Sequence, residues 1–313
     1  MSQSAAIKSF SEYHSGAFSI LFAAVLWGTT GTAASFSEQV SPLAIGAFAM
    51  GVGGVIQALI SLRSIKNSAS QIWAFKLPLA IGSVALAVYP LAFYSSMKLS
   101  GVAIGTVISI ASAPFFTVFI ERLFGTGKNV NKIWWVSFAL GAAGIVLLVL
   151  DKGEDGFFTA SDSNYLLGIA LGLVAGFTYA GYSCVAKSMI DAGVKSQAAL
   201  GSIFAGGAVF LLPSLWFTGE NLFAGSVNSM VSLYMAIVPM CMAYLAFGYG
   251  LRHVPVSSAT LLTLFEPVVA AILAVWIVGE KISVVGWVGI GLIGVCLILQ
   301  TADTSGTRDK GAV

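Results

Sequence analysis

Ten apolar stretches, each closed by a short polar break, run along the chain at 17–36, 42–62, 77–97, 100–121, 132–150, 165–187, 197–216, 230–252, 256–279 and 282–300. A helix needs about 20 apolar residues to cross the hydrocarbon core of a bilayer. The pattern therefore predicts an all-α integral membrane protein of ten transmembrane helices. The first 16 residues are polar with Lys8 as their one basic residue, and the run that follows is long enough to span. A retained first helix is expected there, not a cleaved signal, and no extended soluble domain is expected on either side of the spans.

Charge gives the spans a direction. With the N-terminus in the cytoplasm, the inside segments hold Lys8, Arg63, Lys66, Lys76, Arg122, Lys128, Lys132, Lys187, Lys195, Arg252, Arg308 and Lys310, and the outside segments hold Lys98, Lys152 and Lys281. Twelve cations against three predict cytoplasmic termini and an even number of spans in a multi-pass inner membrane protein. The acidic loop of Asp151, Glu154, Asp155 and Asp162 then lies outside.

The chain also matches itself. At a shift of 153 residues Pro114 meets Pro267, Lys128 meets Lys281, Trp134 meets Trp287, Gly141 meets Gly294 and Ile145 meets Ile298; at 152, Gly16 meets Gly168, Ala23 meets Ala175 and Trp27 meets Tyr179. Two five-helix repeats, 1–154 and 155–313, are expected. An odd number of spans per repeat makes them inverted. Composition agrees: 58% hydrophobic and 9% charged residues exclude a soluble surface. A net charge of +2, dispersed along the chain, gives no nucleic-acid footprint. Cys184, Cys241 and Cys296 stand apart in apolar runs, and His14 and His253 fall in a tail and a loop. No disulfide framework, metal site or cofactor is expected.

Leu26-Trp27-Gly28 in the first span, Glu266-Pro267-Val268-Val269 in the ninth and Val278-Gly279-Glu280-Lys281 before the last resemble the drug/metabolite transporter superfamily, in particular its ten-helix EamA-like branch. The resemblance covers about 17–300. It implies a basket of helices around a central cavity, alternating access by rocking of the halves, and substrates such as amino acids, organic cations or other metabolites. The first half departs from the pattern, with Gly127 where Glu280 has its counterpart.

Four spans carry a proline near their middle: Pro90, Pro114, Pro239 and Pro267. Each removes a backbone donor and frees a carbonyl, which is tolerated in a membrane where the backbone is buried or faces a water-filled cavity. Hinges or cavity walls are one reading, static kinks the other. Glu266 is the one acid or base well inside a span. A charge at that depth costs at least about 2.5–3.5 kcal/mol, so the carboxyl must be partnered or carry its proton. It is a candidate proton-coupling group or counter-ion for a cationic substrate; alternatively it hydrogen-bonds a carbonyl freed by Pro267, such as that of Thr263. Trp27 lies mid-span beside small and hydroxyl residues, while Trp73, Trp134, Trp135, Trp216, Trp276 and Trp287 fall at or near span ends, as an interfacial belt would.

Tyr89, Tyr94, Tyr179, Tyr182 and Tyr244 are also embedded. With Trp27 and Glu266 they form a candidate aromatic substrate cavity suited to an amine; helix-to-helix hydrogen bonding is the alternative for each tyrosine. Gly168, Gly172 and Gly176 read as a packing stripe, and the last span of each half, with its glycines and no embedded polar residue, as peripheral bracing or a dimer contact. The expected function is a secondary transporter, monomeric or dimeric in the lipid bilayer, exporting amino acids or related small metabolites with possible proton coupling. Uptake or exchange of organic cations is the rival. An intramembrane enzyme lacks a nucleophile-plus-base set, and a channel lacks a charge ring or carbonyl filter.

Overall fold

The computed structural model describes residues 3–37, 39–100, 102–124, 130–151, 163–279 and 282–302, and all regular structure among them is helical. Helix α1 is Gln3–Gly28, continued after Thr29 by the short helix Thr30–Ala34. Helices α2 (Pro42–Asn67), α3 (Lys76–Ser100), α4 (Val102–Leu123), α5 (Lys132–Asp151), α6 (Ser163–Asp191) and α7 (Ser196–Thr218) follow. In α8, Ser226–Ile237 passes through the π-turn Val238–Met242 into Ala243–His253. In α9, Val256–Leu262 is separated by Thr263 and Leu264 from Phe265–Leu273, which ends in the π-turn Ala274–Val278. Helix α10 is Val284–Ala302. Among the described residues eight segments are long and apolar enough to cross a membrane, with a shorter apolar stretch at Lys132–Leu148 in α5.

The outer faces carry Phe18, Phe22, Leu59, Val209, Phe210 and Ile298, all more than half exposed. Water would not tolerate so much continuous apolar surface; lipid chains do. Packing inside follows a simple rule. Helix α2 packs on α7, α5 on α10, α3 on α6, α1 on the second part of α8, α4 on α6, and α1 on the second part of α9. Exchanging each helix for the one five places along maps this set onto itself.

The Gly168, Gly172 and Gly176 stripe does pack: a Cβ at those positions would meet Ser100, Ser96 and Ser112 on α3 and α4. The final helices of the two halves pack on each other and not at the edge of each half. A Cβ on Gly144 would lie 2.6 Å from the carbonyl oxygen of Gly289, and one on Gly289 equally close to that of Gly144.

Several expectations change. The polar N-terminal tail, including His14, is wound into α1, with Tyr13 buried and its hydroxyl donating to the Gln300 carbonyl at 2.8 Å. The final helices do carry embedded polar groups, since Ser137 and Gln300 are buried; the Gln300 amide reaches a partner across the bundle, donating to the Ser258 hydroxyl at 2.8 Å. Trp134 is no belt residue: it is buried and its indole donates to the Ser257 carbonyl at 3.1 Å. Trp73, Trp216, Trp276 and Trp287 remain exposed. Pro90 and Pro114 sit inside uninterrupted α-helices, as does Pro213, whereas Pro239 lies in a π-turn and Pro267 in the first turn of a helix, where a missing N–H costs little. Gly127, Lys128, Lys152, Glu154, Asp155, Asp162, Glu280, Lys281, Arg308, Lys310 and the expected repeat boundary lie outside the described residues.

Gly144→Val should force α5 and α10 apart and lower stability by about 1–3 kcal/mol. Gly291→Val, where a Cβ meets nothing within 4 Å, should leave the melting temperature unchanged, and detergent thermal denaturation reads both.

Candidate functional site

The two helices that abandon α-helical pairing do so at the centre of the bundle. In α8 the π-turn widens the backbone at Pro239, and the Trp27 indole of α1 donates to the Pro239 carbonyl at 2.9 Å. Three further bonds tie α1 to α8: the Ser19 hydroxyl donates to the Ala246 carbonyl at 2.8 Å, the Ser15 and Tyr249 hydroxyls share a 3.1 Å bond, and Thr29, at the interruption of α1, shares a 2.7 Å bond with the Tyr234 hydroxyl. In α9 the break is closed by its own backbone. The N–H of Leu264 donates to the Leu261 carbonyl, and that of Glu266 to the Thr263 carbonyl at 3.0 Å. The Thr263 hydroxyl donates to the Thr260 carbonyl at 2.7 Å.

That arrangement sets out Glu266. Its side chain makes no hydrogen bond among the described residues, and the Thr263 carbonyl receives the Glu266 backbone N–H. The expected side-chain bond to that carbonyl is therefore not made. Gly28 lets α1 come close enough to matter: a Cβ there would fall 2.6 Å from Val269 and 2.9 Å from the Glu266 carbonyl oxygen. The Leu-Trp-Gly run thus places an indole against α8 and bare backbone against α9.

Glu266 opens into a narrow cleft between the helices. Its rings are Trp27, Tyr89, Phe93, Tyr94, Tyr179 and Tyr244; its hydroxyls include Thr30, Ser109 and Thr263; Gly46, Met50, Pro90, Ile110 and Met240 complete the wall. Trp27 lies 4.8 Å from Tyr244 between ring centroids and Tyr179 lies 5.7 Å from Tyr89. These pairs correspond under the five-helix exchange, Trp27 with Tyr179 and α8 with α3.

The wall residues from α1 to α4 come from the late part of α1, the early part of α2, the late part of α3 and the early part of α4, so the cleft is biased to one end of the bundle. The other end is filled by Tyr182, Phe247, Leu251 and Met189, all fully buried. The Tyr182 and Tyr244 hydroxyls share a 2.6 Å bond at the boundary. At that filled end Glu121, near the end of α4, lies beside Ser257 at the start of α9.

Of the residues singled out from sequence, Trp27, Tyr89, Tyr94, Tyr179, Tyr244, Glu266 and Pro90 come together on the wall. Tyr182 stands behind it, held to Tyr244, and Pro114, Pro239 and Pro267 are not wall residues. Sequence reasoning missed Phe93, although its four-residue spacing from Tyr89 places both on one helix face. It also missed Gly46, Met50, Ser109, Met240 and Thr263. These residue types are ordinary in any membrane helix, and no signal marked them.

The sequence model of the EamA-like transporter family matches residues 14–150 and again 166–301. Among curated relatives, the "Uncharacterized transporter YwfM" of Bacillus subtilis is 33% identical over 288 residues, covering 90% of this chain and 92% of its own. The "Uncharacterized inner membrane transporter YedA" of Escherichia coli is 30% identical over 204 residues, 64% of this chain and 62% of its own. A "Probable terminal-alkyne amino-acid exporter" of Streptantibioticus cattleyicolor is 26% identical over 193 residues, 60% of this chain and 61% of its own. A solved structure titled "Crystal structure of protein" superposes with a TM-score of 0.74 at 20% identity, over 94% of this chain and 98% of that one, and shares the fold.

Trp27→Phe removes the donor to the Pro239 carbonyl and should cost about 1–3 kcal/mol, the penalty for a buried group left unpaired. Tyr89→Phe, whose hydroxyl has no partner among the described residues, should stay within about 0.5 kcal/mol. Chemical or thermal denaturation of the two variants in one detergent compares them.

Proposed function

The chain belongs to the EamA-like transporter family, and from that premise we propose that it is a ten-span carrier of small, amine-bearing amphipathic metabolites, working by alternating access between two inverted five-helix repeats with both termini in the cytoplasm. It is a multi-pass protein of the inner membrane, as its relatives' naming and its apolar helices indicate. The repeat reading is supported by the family match falling twice along the chain and by helix pairings that survive exchange of the halves. The cation distribution supports the orientation.

One observation carries the functional reading: a carboxyl without a side-chain partner among the described residues, Glu266, faces a cleft whose walls come from both halves and carry six aromatic side chains. An ionisable side chain at membrane depth marks a substrate or ion site. Amino acids and related compounds are the leading substrates, and export is the leading direction, since a relative is named as a probable amino-acid exporter. A carboxyl that must hold either a proton or an amine couples the two. Proton movement opposite to the substrate is the simplest scheme, with the halves rocking to expose the cleft alternately.

Glu266→Gln tests the coupling, because the amide has nearly the same shape and cannot exchange a proton. In proteoliposomes with an imposed pH gradient, the variant should lose acceleration of transport by the gradient while keeping its melting temperature. Unchanged dependence on the gradient sinks the coupling scheme.

A further inference from the structure

We propose that Lys187 and Glu121 are positioning residues that clasp the filled, cytoplasmic end of the bundle, and that this end opens when the Lys187 ammonium leaves the Leu251 carbonyl. The inference rests on the alternating-access reading above and assigns to it the contacts that must part.

Packing decides which helices move together. Each half lends its first helix to the other: α6 packs on α3 and α4, while α1 packs on the second parts of α8 and α9. The rocking halves are therefore α3, α4 and α6 on one side of the cleft, and α1, α8 and α9 on the other. Polar contacts join these two groups toward the filled end. The Tyr182 and Tyr244 hydroxyls form the inner one. Further along α6, Lys187 donates to the Leu251 carbonyl of α8 at 2.9 Å, and Glu121 lies beside Ser257 at the start of α9.

The sequence makes the Lys187 bond necessary on both sides. In a continued helix the Leu251 carbonyl would accept from the N–H of residue 255, but that residue is Pro255 and has none. The second part of α8 ends at His253, so the carbonyl is one of the last four that need an outside donor. The Gly250 carbonyl beside it already has the Val254 N–H. Lys187 is 12% exposed, and an ammonium so far from water persists only among acceptors. It has the Leu251 carbonyl, the Asp191 carboxylate at 2.9 Å and Glu121 within electrostatic reach.

Those partners divide unequally when the end opens. Lys187 and Asp191 share α6, and Glu121 belongs to α4, so every charge of the clasp travels with one group. What parts is an ammonium from a carbonyl and a carboxyl from a hydroxyl, and water replaces both contacts. The end therefore opens without separating an ion pair.

Cys184, three residues before Lys187 and within electrostatic reach of Glu121, reports the opening. A membrane-impermeant maleimide added to inside-out vesicles holding the full-length protein meets the cytoplasmic end, and mass spectrometry reads Cys184, Cys241 and Cys296 separately. Lys187→Met keeps the stem and removes the ammonium. It should speed modification of Cys184 about 10- to 100-fold, the shift expected from one lost charge-assisted hydrogen bond, and leave Cys241 and Cys296 unchanged. Loss of a nearby cation by itself would slow a thiolate, so acceleration reports access. Lys187→Arg should return the rate to within about 3-fold of wild type, and Ser257→Ala should speed Cys184 about 3- to 10-fold.

An unchanged Cys184 rate in Lys187→Met overturns the clasp. Equal acceleration at all three cysteines does so too, because Lys187 would then support the whole fold. Modification needs no substrate, so counterflow of labelled amino acids in proteoliposomes is read separately. Acceleration at Cys184 without counterflow keeps the clasp and fails the carrier reading; counterflow with Cys184 unchanged keeps the carrier and overturns the clasp.

Discussion

Backbone polar groups in a bilayer must be satisfied from within the protein, and the bond from the Trp27 indole to the Pro239 carbonyl meets that demand at the centre of this fold. A π-turn in α8 exposes a carbonyl that a regular helix would have used, and a side chain from the first helix takes it up. Together with the Ser19 and Thr29 bonds it fixes where α1 crosses α8. Because Gly28 follows at the next position, it also fixes how near α1 comes to the α9 break. The cleft occupies the space these departures leave. Were α8 and α9 straight and continuous, side chains would meet across the middle as they do at the filled end.

The scaffold is doubled, but its chemistry is not. Helix pairings exchange between the halves, and the Trp27–Tyr244 and Tyr179–Tyr89 contacts face each other across the cleft. The equivalence stops at the backbone. In the first half Pro90 and Pro114 are absorbed into unbroken helices; in the second, Pro239 and Pro267 accompany a π-turn and a break. Before Pro114 stands the buried Ala113, and before Pro267 stands Glu266. The irregular backbone and the one acid on the wall therefore belong to the same half, where the break in α9 carries the carboxyl into open space.

Much of this was legible in the sequence because the bilayer enforces it. Apolar runs marked the helices, and a lone acid and embedded rings marked Glu266 and five of the six aromatic residues of the cleft wall. The illegible parts depend on partners distant along the chain. Nothing near Trp134 marks it as core, since the Ser257 carbonyl that holds it is 123 positions away. Tyr182 and Tyr179 look alike in sequence, but a turn of helix puts one behind the wall and the other on it. The break at Thr263 and Leu264 falls inside a run whose hydroxyl residues an unbroken membrane helix carries equally well, so hydropathy marks no boundary there. Pro267, for which a hinge or cavity wall and a static kink were the two readings, lies in the first turn of a helix.

The filled end also has an electrical meaning. Tyr182, Phe247, Leu251 and Met189 pack without exposed surface beneath a cleft open at the other end. In an energised membrane, the voltage falls mainly across the part of the path that water does not enter, and each elementary charge moved through it exchanges about 2.3 kcal/mol per 100 mV. In this conformation that insulating layer is the plug, not the full thickness of the bundle. Water entering the cleft would bring Glu266 close to the potential of the open side and concentrate the field over a few turns of tightly packed helix.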